Sequence, residues 1–152
     1  MNRRKGFTLV EILIVVIILG ILAAIVIPQF TEASNDARES ALASDLQTLR
    51  SQLELYKVQH LEKYPDLDAA GAADTANFIA RLTGKTDQDG TINAAGAFGP
   101  YLQKFPSNPF VTANADLVTF GVADPAPGVG NGWYFNTSTG KMSANDAAHV
   151  GL

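Results

Sequence analysis

The pattern of apolar and polar positions divides the chain into three stretches. From Leu9 to Ile27 apolar residues run on, interrupted only by Glu11 and Gly20. Beyond Phe30 the run gives way to a helical repeat. Leu42, Leu46, Leu49, Leu53 and Tyr56 recur by four and three and so share one face. Asp36, Arg38, Glu39, Arg50 and Glu54 fall largely on the others. From Thr8 to about Lys63 nothing stops a helix except Gly20 and Pro28. Proline removes one backbone bond and clashes with the preceding turn, so Pro28 predicts a kink or a locally unwound segment. Gly20 weakens the helix by roughly 1 kcal/mol relative to alanine.

Tyr64-Pro65-Asp66 is expected to end the long helix, because the residue before proline is biased away from helical angles. Asp74 is placed to cap a short helix from Thr75 to about Leu82, with Phe78, Ile79 and Leu82 turned inward. Thr86 to Gly96 is polar and rich in turn residues. The tail reads as strands at Leu117–Val122, Gly132–Asn136 and Lys141–Ala144, the last two joined by a hairpin over Asn136 to Gly140. Trp133 and Phe135 share one strand face, which should pack on the Leu46/Leu49/Leu53 stripe. The fold class is therefore α+β. A long, kinked amino-terminal helix, with a membrane half and an amphipathic half, packs on a small antiparallel sheet.

The apolar run changes what the chain can be. Phe7 to Phe30 reaches the roughly 20 residues that span a bilayer. Arg3, Arg4 and Lys5 precede it and hold the start in the cytoplasm. Everything after Phe30 then lies on the far side. An ordinary secretory signal ends in a small-residue cleavage site; here Ala23-Ala24 is the only small pair, and Ile25-Val26-Ile27-Pro28 follows it. Glu11 is the sole charge within the run. A charge near lipid is costly and calls for a partner and a job. The positive group this chain can offer is a new amino terminus made by cutting after Gly6.

Those residues carry a resemblance. Gly6-Phe7-Thr8-Leu9-Val10-Glu11, behind a short basic leader and ahead of an apolar run, resembles the class III signal peptide of type IV pilins and type II secretion pseudopilins. The resemblance implies cleavage between Gly6 and Phe7 by a prepilin peptidase, N-methylation of Phe7, and a role for Glu11 in assembly. It divides the chain into a leader (1–6), a membrane and assembly helix (7–30) and a periplasmic pilin-like domain (31–152). Gly20 and Pro28 match a glycine and a proline that recur in pilin helices and distort them. Gly99-Pro100-Tyr101-Leu102 and Phe105-Pro106-Ser107-Asn108-Pro109-Phe110 are similar to the segment that precedes the sheet in major pseudopilins. The implied partners are copies of the chain in a filament, the peptidase, an inner-membrane assembly platform, minor pseudopilins and the membrane.

Composition narrows this further. Removal of the leader takes the basic residues from 11 to 8 against 15 acidic, and the side-chain balance from −4 to −7. An acidic ectodomain disfavours nucleic acid as a partner. The chain has no cysteine, so packing must hold the domain without disulfides. His60 and His149 lie far apart in sequence, and no nucleophile elbow or phosphate loop accompanies them; no enzyme is expected. Many major pseudopilins share a calcium loop between late strands. The matching stretch, Val122 to Gly132, holds Asp124 as its only carboxylate, where calcium takes six to eight oxygens. Asp87-Gln88-Asp89-Gly90 lacks the later acids of a calcium loop. No cofactor is expected, calcium being the one ion the resemblance brings into question. The expected function is that of a pseudopilus subunit at the inner membrane and in the periplasm. The alternatives are a type IV pilin of a surface filament and a membrane-anchored periplasmic binding domain.

Overall fold

A computed structural model describes residues 6–125 and 130–152. Helix α1 spans Leu9–Gln59. The chain forms two compact units, Met1–Glu39 and Ser40–Leu152, and each is taken by itself.

In the first unit every described residue is exposed. Gly20 and Pro28 both lie within α1, which passes through them without interruption. The stretch between them is wound, so the unwound alternative does not hold here. Proline withholds one donor from its own turn, and the bonds on either side carry the helix on.

The second unit is organised by the amphipathic half of α1. Leu42, Leu46, Leu49, Leu53 and Tyr56 are all buried, as their spacing requires. Burying each leucine contributes about 1.5–3 kcal/mol relative to leaving it exposed. They form one cluster with Phe78, Leu82, Leu102, Phe105, Trp133, Phe135, Met142 and Ala144.

The helix ends at Gln59, before the expected Lys63. Leu61 and Glu62 adopt left-handed angles, φ 58° and 63°, and Glu62 N–H closes back on the Lys57 carbonyl at 3.0 Å. Side chains that disfavour this conformation are held in it next to a deeply buried anchor. The His60 ring stacks on Tyr56 at 3.8 Å, and its Nε2 lies 2.8 Å from Thr86 Oγ1. Burial holds His60 below its ordinary pKa, against the opposing pull of its bond to the Tyr56 carbonyl.

A 3-10 turn, Thr75–Asn77, leads into α2, Phe78–Thr83. Asp74 does not cap either one. Its carboxylate accepts instead from Arg81 Nη2 at 2.6 Å and Asn77 Nδ2 at 2.8 Å. Arg81, only 4% exposed, also donates to the carbonyls of Gly90, Pro65 and Asp74 at 3.0–3.1 Å. One guanidinium thus ties three stretches of irregular chain, because its fixed fork offers five donors.

The sheet has strands β1 (Val118–Gly121), β2 (Trp133–Asn136) and β3 (Met142–Ala144), in that spatial order. The β2–β3 hairpin is antiparallel, with Phe135 opposite Met142. β1 and β2 are parallel, Val118 facing Trp133 and Gly121 facing Asn136. The sheet is therefore mixed, which corrects the expectation of a wholly antiparallel one. Parallel pairing ordinarily needs a long crossover. Strands of four residues span only about 13 Å, so residues 122–132 are long enough to return to the start.

Candidate assembly and processing segment

Gly6, Phe7 and Thr8 precede the first turn of α1. Nothing lies within 4 Å of where a side chain on Gly6 would begin, and Phe7 is 83% exposed. Thr8 stands at the N-cap and Glu11 at the third helical position. The Thr8 hydroxyl accepts from Glu11 N–H at 3.3 Å. Glu11 Oε2 accepts in return from Thr8 N–H at 2.8 Å and from the Thr8 hydroxyl at 2.7 Å. This reciprocal box satisfies donors that a helix start leaves open. A carboxylate in the first turn also meets the favourable end of the helix dipole. Glu11 therefore has a partner within its own chain, a neutral one rather than a positive group. The signal was the Thr8-x-x-Glu11 spacing itself.

Behind this box the helix presents an apolar surface on all sides. Among the described residues α1 is the one helix long and apolar enough to cross a membrane, and its apolar run is exposed throughout. Gly20 meets no neighbouring atom, so no close approach within the subunit requires a glycine there.

The histidines occupy separate settings. His60 is enclosed at the end of α1 as described. His149 Nδ1 lies 2.5 Å from Asp146 Oδ1, and its ring lies 4.2 Å from that of Phe110. Although burial works against its charge, Asp146 is held below the usual carboxylate range by Asn108 and His149.

Among the described residues no three His, Asp or Glu side chains gather as metal ligands. Residues 126–129, part of the stretch matched to a calcium loop, lie outside the described residues. On its flanks Asp124 is exposed. The Ala123 carbonyl already accepts from Tyr134 and Asn136, and the Gly121 carbonyl from Thr137 twice. Calcium needs oxygens that are free to turn to it. The Gly121 and Ala123 carbonyls are therefore already engaged within the chain.

A helix with an exposed apolar half, opened by Gly-Phe-Thr-x-x-Glu and followed by a small α+β unit, defines a pilin-like subunit. Residues 1–27 match the family model described as "Prokaryotic N-terminal methylation motif". The chain is 35% identical over 112 residues to the type II secretion system core protein G of Pseudomonas aeruginosa, covering 72% of each chain. It is 32% identical to that of Klebsiella pneumoniae over 72% of this chain and 71% of the relative. With the Dickeya chrysanthemi protein it shares 41% identity over 42% of this chain and 41% of that one. The chain belongs to the type II secretion system core protein G family. No solved structure matches it.

Proposed function

We propose that this chain is the major structural subunit of a type II secretion pseudopilus, anchored in the inner membrane with residues 31–152 in the periplasm. It is cut between Gly6 and Phe7 and methylated on Phe7. It then polymerises through residues 7–30 with minor pseudopilins on an inner-membrane platform, and the growing filament helps to export folded proteins. The function is mechanical, in keeping with relatives that are secretion-system subunits. The observation that carries the reading is the lone carboxylate of Glu11 in the first turn of an otherwise apolar, exposed helix.

In the single subunit Thr8 satisfies Glu11. In the filament a neighbour's terminal ammonium is the stronger partner, because a hydrogen bond between charged groups outweighs one from a neutral amide or hydroxyl. Assembly is then an exchange of partners that leaves no charge alone in an apolar interface. Glu11→Gln tests this, since glutamine also serves at the third position of a capping box while removing the charge. The variant should insert and be processed yet give no filaments in sheared or detergent-extracted fractions. Normal filament yield would refute the role of the charge. Intact mass of membrane-extracted protein should show loss of Met1 to Gly6 and gain of one methyl group; an uncut chain would favour a plain anchor. Deleting the gene should remove specific proteins from the medium and leave surface filaments unchanged. The opposite pattern would make the chain a type IV pilin.

A further inference from the structure

Helix α1 runs through three kinds of surroundings. Residues 9–27 present an apolar exterior, Glu11 apart, suited to lipid, where a backbone has no partner but its own helix. From Leu42 onward the buried stripe ties the helix to the folded unit. Residues 29–39 have neither support. Apart from Phe30 they are polar or small, and every one is exposed. Their sequence also does little to hold a helix. Thr31, Ser34, Asn35 and Asp36 are weak helix formers, and Pro28 withholds a donor where the segment begins. The Thr31 hydroxyl donates back to the Ile27 carbonyl at 3.2 Å, a bond that tends to bend helices. Glu32 and Asp36 stand four apart, a spacing at which like charges repel along a helix. Arg38 is the only base in the segment, and the residues three and four away from it are Ser34, Asn35, Ala41 and Leu42.

We infer that residues 29–39 open first in the single subunit, as a reversible coil between two held helices, so that the membrane half and the folded unit are joined by a tether of variable length. The inference rests on the proposed membrane placement of residues 7–30. A gap inside a continuous helix is disfavoured by the nucleation factor, about 10⁻³. Four weak helix formers, each returning up to about threefold relative to alanine, together with one repulsive pair, offset that factor by roughly a hundredfold. Opening the apolar half would leave its amides unpaired in lipid. Opening beyond Leu42 would strip the buried leucines from their cluster. The break therefore costs least in the middle, where exposed backbone bonds meet few buried contacts. The segment spans about 16 Å as a helix and up to about 36 Å when extended. A subunit held in a bilayer thus gains about 20 Å of reach without unfolding its core or withdrawing its apolar helix.

Hydrogen–deuterium exchange of the full-length chain in lipid nanodiscs, read fragment by fragment, tests it. Amides of residues 31–39 should exchange at least about tenfold faster than those of 43–58, while 9–27 stay protected. Exchange at 31–39 no faster than at 43–58, with 9–27 protected, would overturn the inference alone. Rapid exchange at 9–27 would show that no bilayer holds that half, and would overturn the membrane placement and the tether together. Asp36→Lys turns the repulsive pair into an attractive one, with the glutamate on the favourable amino-terminal side, and replaces a weak helix former. It should slow exchange at 31–39 about fivefold and leave 43–58 unchanged. Asn35→Ala adds no charge and should slow the same amides by up to about threefold. Both positions are exposed, so neither change disturbs the core. Exchange like that of wild type in the two variants, or slowing shared equally by 43–58, would also overturn the inference.

Discussion

Replacing Gly140 by alanine probes the junction between the β2–β3 hairpin and the end of α1. Gly140 closes the turn with a left-handed φ of 72°, and its N–H donates to the Asn136 carbonyl at 2.7 Å. A methyl group there would overlap the ring and hydroxyl of Tyr64. Two costs follow. An L-residue in this region of backbone space loses roughly 1–2 kcal/mol. Tyr64 must also move, and it then gives up its bond to Glu54 Oε1 at 2.9 Å and its edge contact with Phe135 at 5.8 Å. The hydrogen bond is worth about 0.5–1.5 kcal/mol, and the ring pair a similar amount. Reduced freedom of the unfolded chain returns about 0.4–1 kcal/mol. The expected net loss for Gly140→Ala is about 2–4 kcal/mol. Urea unfolding of the full chain in detergent, followed through Trp133, measures it. The same substitution in a Tyr64→Ala background should cost only the backbone part less that return, about 0–1.5 kcal/mol. Equal losses in both backgrounds would refute the overlap as the cause.

Two further measurements bear on the core. Leu49→Ala, at a fully buried position on the α1 stripe, should destabilise by about 2–5 kcal/mol, and a loss below that range would mean that the stripe does not organise the unit. His60 resists protonation in the folded chain because it is buried, whereas in the unfolded chain it titrates near 6.5. The unfolded state therefore binds the extra proton first, and stability should fall as pH drops through about 6.5. The stability advantage of wild type over His60→Gln should accordingly shrink between neutral pH and about pH 5.5. An advantage that stays constant or grows would show that His60 accepts its proton in place.

The sequence made legible what a single periodicity or a strict order of residues records. The stripe from Leu42 to Tyr56 follows from spacing alone, and the strands at Trp133 and Met142 from short apolar runs on either side of a turn-rich segment. Strand direction leaves no such mark. Alternation is the same whether a neighbour runs parallel or antiparallel, so the β1–β2 pairing could not be read. Arg81 and Asp74 were opaque for another reason. The partners of Arg81 are mostly backbone carbonyls, at Pro65 and Gly90, and carbonyls have no sequence. The end of α1 depended on His60 meeting Thr86, a contact between residues 26 apart. At the head of the chain, the order of Gly6, Phe7 and Glu11 is what the expectation of processing and assembly rests on. The role of Thr8 lies in what a helix start needs and not in charge, and its mark in the sequence is the Thr8-x-x-Glu11 spacing.

The box at the head of α1 draws on nothing before Thr8. Its three hydrogen bonds join Thr8 and Glu11 only, and the Thr8 amide remains an amide when the peptide bond between Gly6 and Phe7 is cut. If the chain is cut as proposed, precursor and product would accordingly begin their helix at the same residue with the same bonds. Maturation as proposed would be a change of chemical identity at one end, without refolding. On the proposed processing, a subunit would wait uncut with its helix start already shaped for use, and the chemistry still to come would fall on the Gly6–Phe7 bond and the Phe7 amine.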